Sequence, residues 1–190
     1  MKALFLMSSS PRRAMLLNQL GFKFEQRHPD IDEIPLASEH PSSYVLRLAQ
    51  EKAAVGLKMT QTPSVFLAAD TIVVKGDAIY EKPQDEADYM NMLSALSGSQ
   101  HQVLTAVALM DGQHVSAKLM QTTIQFCEVT PQQMNQYWLT GEPKDKAGGY
   151  AIQGGGGNFI RTIKGSYSAA VGLPLVETRE LLCAFGVHPQ

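Results

Sequence analysis

The chain has 190 residues, 44% of them hydrophobic, with 16 lysines and arginines against 18 aspartates and glutamates for a formal net charge of −2. That length fits a single domain, 1–190, able to bury roughly 70% of its unfolded surface without disulfide support. The near-neutral charge argues against binding nucleic acid through bulk charge, and no charged leader or long apolar span points to secretion or a membrane. The expected compartment is the cytoplasm, with neither a membrane nor a stable nucleic-acid partner.

Ala3 to Met7 is an apolar run that stops at Ser8-Ser9-Ser10-Pro11-Arg12-Arg13, followed by a helical pattern (Met15, Leu16, Leu17, Leu20) closed by Gly21. Ser10 suits the N-cap and Pro11 the first helical position. Two guanidiniums in a first turn oppose the helix dipole, so Arg12 and Arg13 fit a bound anion better than they fit the helix. An exposed basic turn is the alternative reading. Phe22 to His28 reads as a second strand, and 29–41 as an irregular stretch holding Asp30, Asp32 and Glu33. Ser42 or Ser43 opens a helix through Tyr44, Val45, Leu48, Ala49 and Lys52 to Gly56. A short apolar strand, 64–69, ends in Asp70-Thr71. A hairpin over 72–80 turns at Lys75-Gly76-Asp77 and leads to Glu81-Lys82-Pro83. Asp85 caps a helix that Ser97-Gly98 ends. Residues 102–110 and 113–126 form a long hairpin around Asp111-Gly112, Thr130-Pro131 starts a helix reaching Gly141, 145–157 is dense in glycine, 158–163 is a strand, and 173–185 is a final helix. Single strands, hairpins and helices interleaved predict an α/β fold with a mixed sheet under helical cover. Cys127 and Cys183, in apolar surroundings without CxxC spacing, read as buried reduced thiols.

The common nucleotide-binding loops are missing, five dispersed histidines make no zinc site, and no GxSxG elbow is present. Gly154 to Gly157 fails the dinucleotide spacing and reads as backbone freedom. What stands out are charged residues at element ends and loops: Asp70, Lys52, Lys82 and Glu33. Each has a plainer reading, Asp70 as a turn former or cap, and either lysine as a solvated side chain.

Seven blocks carry a resemblance: Ser8-x-Ser10-Pro11-Arg12-Arg13, Glu51-Lys52-Ala53, Ala69-Asp70-Thr71-Ile72-Val73, Glu81-Lys82-Pro83-x-Asp85, Leu96-Ser97-Gly98-x-x-His101-x-Val103, Asp145-Lys146-Ala147-Gly148-x-Tyr150-x-Ile152-Gln153-Gly154 and Gly165-Ser166-Tyr167-x-x-x-Val171-Gly172-Leu173-Pro174. In that order they resemble the Maf family of nucleoside triphosphate pyrophosphatases over essentially the whole chain, and within it the bacterial subgroup acting on dTTP and UTP. Met7 and Gly149 stand where the family commonly has alanine.

The resemblance implies a fold similar to inosine triphosphatase (Maf/Ham1), an elongated mixed sheet flanked by helices, with two lobes and a central cleft. It implies cleavage between the α- and β-phosphates with Mg²⁺ or Mn²⁺, removal of non-standard nucleotides and an effect on septum formation. It leaves a homodimer open. Carried over by residue, Ser8, Ser10, Arg13, Lys52 and Lys82 would bind phosphates, and Glu33 and Asp70 would bind metal. Asp70 would accept the proton of the attacking water, a role that sequence does not separate from metal ligation. Arg12, Thr71 and Gln153 would select the base, where relatives acting on 7-methylguanosine triphosphate carry a bulky residue, Gln and Glu. An amide both gives and accepts, as the acceptor–donor–acceptor edge of uracil or thymine requires, whereas guanine's donors suit a carboxylate. Two other classes remain in view: a nucleotide- or DNA-binding regulator without turnover, and a housekeeping enzyme for non-standard purine triphosphates.

Overall fold

The computed structural model describes residues 2–60 and 62–189. In chain order its elements are β1 (Ala3–Met7), α1 (Pro11–Gln19), β2 (Glu25–Arg27), α2 (Pro41–Leu57), β3 (Ser64–Lys75), β4 (Ala78–Tyr80), α3 (Glu86–Leu96), β5 (Gln100–Met110), β6 (Val115–Phe126), α4 (Pro131–Leu139), β7 (Ile160–Lys164), α5 (Tyr167–Val171) and α6 (Leu175–Ala184). The strands hydrogen-bond in the order β2-β1-β3-β5-β6-β7, with β4 on β3. β1 pairs in parallel with β2 and β3, while β3–β4 and β6–β7 are antiparallel. The sheet is therefore mixed, as the interleaved elements predicted. Among the described residues no helix is long and apolar enough to cross a membrane.

The chain divides into two compact units. One comprises Met1–Asp70, Thr105–Met120 and Gly172–Gln190; the other comprises Thr71–Leu104 and Gln121–Val171. The first has a core of β1, α1, α2 and the first half of β3, in which Leu6, Leu17, Tyr44, Leu48 and Leu67 are fully buried. The second gathers Tyr89, Leu93, Leu96, Phe126, Tyr137 and Tyr150 around the second half of β3. The chain passes from one to the other within β3, β5 and β6 and at the end of α5, so no polar linker marks the division.

Helix starts follow the sequence closely. Ser10 caps α1 and accepts from Arg13 N–H, Asp85 caps α3 through Asp88 N–H, and Thr130 with Gln133 closes a capping box on α4. Five expectations need correction. α2 begins earlier, at Pro41, because the His40 imidazole accepts from Ser42 N–H and serves as the cap. The second strand shrinks to three exposed residues on the edge beside β1. α5 is new, its start held by Ser166 Oγ, which accepts from Ala169 N–H at 3.2 Å. Neither cysteine is fully buried: Cys127 is half-buried, and Cys183 is exposed because α6 turns Leu181 and Leu182 inward and the next residue outward.

The correction that matters most concerns Asp70. It does not end a strand: β3 runs unbroken for 12 residues from Ser64 to Lys75, with Asp70 inside it. Thr71, Ile72, Val73 and Val74 favour extended backbone, and a cation compensates the buried carboxylate, so nothing forces a break.

Candidate active site

In the first unit, β1 delivers Ser8 to the mouth of α1. The Ser8 hydroxyl, 4% exposed, accepts from Ser10 N–H at 3.2 Å and from Arg13 Nη1 at 3.3 Å. Arg13 Nε donates to Gly172 O at 2.9 Å, which fixes the guanidinium beside the helix start. Burial pulls the Arg13 guanidinium below its usual value, and Asp70 is the largest charge opposing that shift. No acidic residue occupies the first turn of α1, so the dipole and both arginines favour an anion there.

α2 carries Lys52 in its buried stripe, between Leu48 and Gly56. A Cβ at Gly56 would lie 2.1 Å from Phe66 Cδ1, so the helix approaches β3 only because that position has no side chain. Lys52 Nζ thereby reaches Asp70 Oδ1 at 2.6 Å and Glu33 Oε1 at 2.8 Å. The side chains of Lys52 and Asp70 are each 7% exposed and that of Glu33 48%. Lys52 is thus no solvated lysine, and Asp70 no turn former. One ammonium joins the two carboxylates singled out in the sequence.

Several residues that hold this arrangement escaped the sequence reading. Gln26 Nε2 donates to Ser8 O at 2.6 Å. Tyr44 OH donates to Glu33 O at 3.0 Å, and Arg47 donates to Ile34 O at 3.1 Å and through two nitrogens to Glu39 at 2.7 Å each, pinning the loop that carries Glu33. The i, i+4 spacing of Arg47 and Glu51 was a visible signal. The reach to Glu39 depends on the path of the loop.

Thr71, Lys82 and Gln153 belong to the second unit. Thr71 is half-buried on β3, while Lys82 and Gln153 are exposed. Gly148 N–H donates to Glu81 O at 3.0 Å, tying the segment before Gln153 to the one that carries Lys82. A Cβ at Gly148 would lie 3.0 Å from Val73, so the same segment packs against β3 two residues beyond Thr71.

The donor set fits a divalent cation completed by substrate. Mg²⁺ takes one or two carboxylates together with phosphate oxygens and water rather than an all-protein cage. Asp70 and Glu33 supply two such carboxylates on one ammonium, and among the described residues no group of three or more acidic, histidine or cysteine side chains forms a closed site. Arg12, Arg13 and Lys52 set against Glu33 and Asp70 leave a balance of +1, too little for a triphosphate without further positive charge.

The family profile described as Maf-like protein matches residues 3–185. This chain belongs to the Maf family. Among its Maf relatives, a protein from Salmonella typhimurium named dTTP/UTP pyrophosphatase is 51% identical over 185 residues, 97% of this chain and 94% of that one. A Shewanella sp. protein of the same name is 50% identical over 192 residues, 97% of this chain and 99% of that one. A solved nucleoside-triphosphatase / dITP/XTP pyrophosphatase from Mycobacterium abscessus is 16% identical with TM-score 0.47, covering 97% of this Maf chain and 98% of its own, a likeness too slight to bear on the site.

Proposed function

We propose that the protein hydrolyses dTTP and UTP to the nucleoside monophosphate and pyrophosphate. The observation that carries this reading is the buried Asp70–Lys52 pair, joined by the half-exposed Glu33, in the same unit as Arg13 and the open start of α1. The names of relatives about half identical to it supply the substrate.

In this reading Arg13, the Ser8 and Ser10 hydroxyls and the first N–H groups of α1 bind phosphate oxygens, with Lys82 assigned to the same task. Water attacks the α-phosphorus, the bond to the bridging oxygen breaks, and pyrophosphate leaves. Asp70 takes the proton from the water, and Lys52 holds that carboxylate in place. Glu33 and Asp70 would hold Mg²⁺ or Mn²⁺, which would neutralise phosphate charge and act as a Lewis acid. Gln153 is assigned to the 4-keto pyrimidine edge, and Thr71 and Arg12 are assigned to base selection as well.

Asp70→Asn tests the assignment. The amide is nearly isosteric but accepts no proton usefully, so kcat should fall by about 10² to 10⁴ with the fold retained. A folded Asp70→Asn variant with wild-type kcat would move the role elsewhere.

A further inference from the structure

Gln153 is exposed, yet the turn that carries it is bound on both sides by a network in the second unit. Before Gln153, Ala151 N–H donates to Tyr137 OH at 3.0 Å. Tyr137 OH in turn donates to Glu142 Oε1 at 3.1 Å, and after Gln153, Gly155 N–H donates to Glu142 Oε2 at 2.9 Å. One carboxylate therefore joins the two flanks, directly on one side and through a phenol on the other. Burial pushes the Tyr137 hydroxyl up, so it keeps its proton and remains a donor. The Tyr150 ring, one residue earlier, is buried, with its OH 2.7 Å from His101 Nε2.

The glycine run is explained by the same network. A Cβ at Gly154 would lie 1.9 Å from Glu142 Oε1, one at Gly155 3.0 Å from Tyr137 Cε2, and one at Gly156 2.9 Å from Tyr137 OH. All three have ordinary φ values, so what favours glycine here is close approach, to Glu142 and Tyr137 at Gly154 and Gly155 and to Tyr137 and the Ala151 backbone at Gly156, not left-handed backbone.

We propose that Tyr137 and Glu142 are positioning residues for base selection, holding the Gln153 turn in one conformation before substrate arrives. The inference rests on the base-reading role of Gln153 proposed above. Ordering a loose turn on binding costs free energy comparable to what one mismatched hydrogen bond is worth, so a glutamine on such a turn discriminates poorly. Held from both flanks, its amide meets the wrong edge as a mismatch instead of rotating away with the turn.

The test compares UTP with CTP, which share sugar and triphosphate and differ in the base edge, on wild type, Tyr137→Phe, Glu142→Ala and Gln153→Ala. Amide hydrogen exchange is followed at Ala151 and Gly155. Tyr137→Phe keeps the ring that packs edge-on against Phe159 and removes only the hydroxyl. Glu142→Ala removes the carboxylate and with it both the acceptor of Gly155 N–H and that of the Tyr137 hydroxyl. Both should lower the UTP/CTP ratio of kcat/KM by about tenfold, and exchange at Ala151 and Gly155 should quicken by about the same factor. Loss of folded protein alone would scale both substrates equally and leave the ratio unchanged. Should Gln153→Ala collapse the ratio while neither of the other variants moves it, positioning by Tyr137 and Glu142 is refuted and base reading by Gln153 stands. Should Gln153→Ala leave the ratio intact, the base reading itself fails and this inference with it. If Tyr137→Phe does not fold, Glu142→Ala decides alone.

Discussion

Lys52 holds two carboxylates with one buried ammonium. Its ammonium faces a carboxylate as buried as itself and a second that is half open to solvent. Removing one member of a buried pair leaves an uncompensated charge, which typically costs about 3 to 5 kcal/mol, mostly through the partner left behind. Lys52→Met should therefore destabilise by that order, with Asp70 responsible for most of it, since Glu33 can turn to water. The double variant Lys52→Met/Asp70→Asn should recover a large part, because the stranded charge is gone. Urea unfolding of the single and double variants checks this. A double variant no more stable than Lys52→Met would mean that the lysine stem, not its charge, holds the region together.

At the scale of elements, the contact of α2 with β3 decides whether the cluster forms. Alanine in place of a helical glycine ordinarily gains about 1 kcal/mol of helix propensity. At Gly56 the added methyl would fall inside the Phe66 ring, itself stacked on Phe5 at 5.5 Å, and overpacking of that kind costs about 1 to 3 kcal/mol. The clash should win: Gly56→Ala should lower the Tm and reduce turnover as Lys52, one turn away, is displaced from Asp70. A more stable, fully active Gly56→Ala variant would show that the helix and strand are not in tight contact. Such contacts also explain what the sequence did and did not reveal. Ser10-Pro11, Asp85 and Thr130-Pro131 announced their helices because a cap is a local interaction. The continuity of β3 through Asp70 was hidden, since it depends on a lysine 18 residues away. Gly154 and Gly155 read as freedom for the same reason, because the residues that crowd them come from α4 and the turn after it, while Gly156 is crowded as well by the folded-back backbone of Ala151 and Gly157 by that of Ile152.

For the molecule as a whole, acid sensitivity follows from three groups. Burial, with Lys75 adding to it, holds the His101 imidazole down to about 4. The folded protein thus keeps this ring neutral while the unfolded chain protonates it near 6.5, so the stabilisation is complete above about pH 6.5 and is lost as pH falls toward 4. The size is on the order of 3 kcal/mol. Glu39, held to about 2 by its hydrogen bond to Arg47, and Asp111, held to about 2 by its hydrogen bond to Lys2, lose their contributions at lower pH, from the ordinary carboxylate range downward. Urea midpoints at pH 7.5 and 5 should differ in the wild type and converge in His101→Gln. An equal pH effect in both proteins would assign the acid sensitivity to other groups. At this scale the sequence was informative about family and element order, because seven spaced blocks constrain a chain more than any one of them. Two lobes were expected only from the resemblance, and where the chain divides was not legible, since three of the crossings fall inside β3, β5 and β6 and leave no mark in composition.

The central claim is attack by water at the α-phosphorus of a pyrimidine triphosphate. Hydrolysis of dTTP and UTP in heavy-oxygen water with Mg²⁺ or Mn²⁺, followed by mass spectrometry of the products, tests it most directly. The account predicts one pyrophosphate per nucleotide consumed, the heavy oxygen in dTMP or UMP, and arrest by a chelator. Release of inorganic phosphate with a nucleoside diphosphate, label in the pyrophosphate, or no turnover of either nucleotide would contradict it.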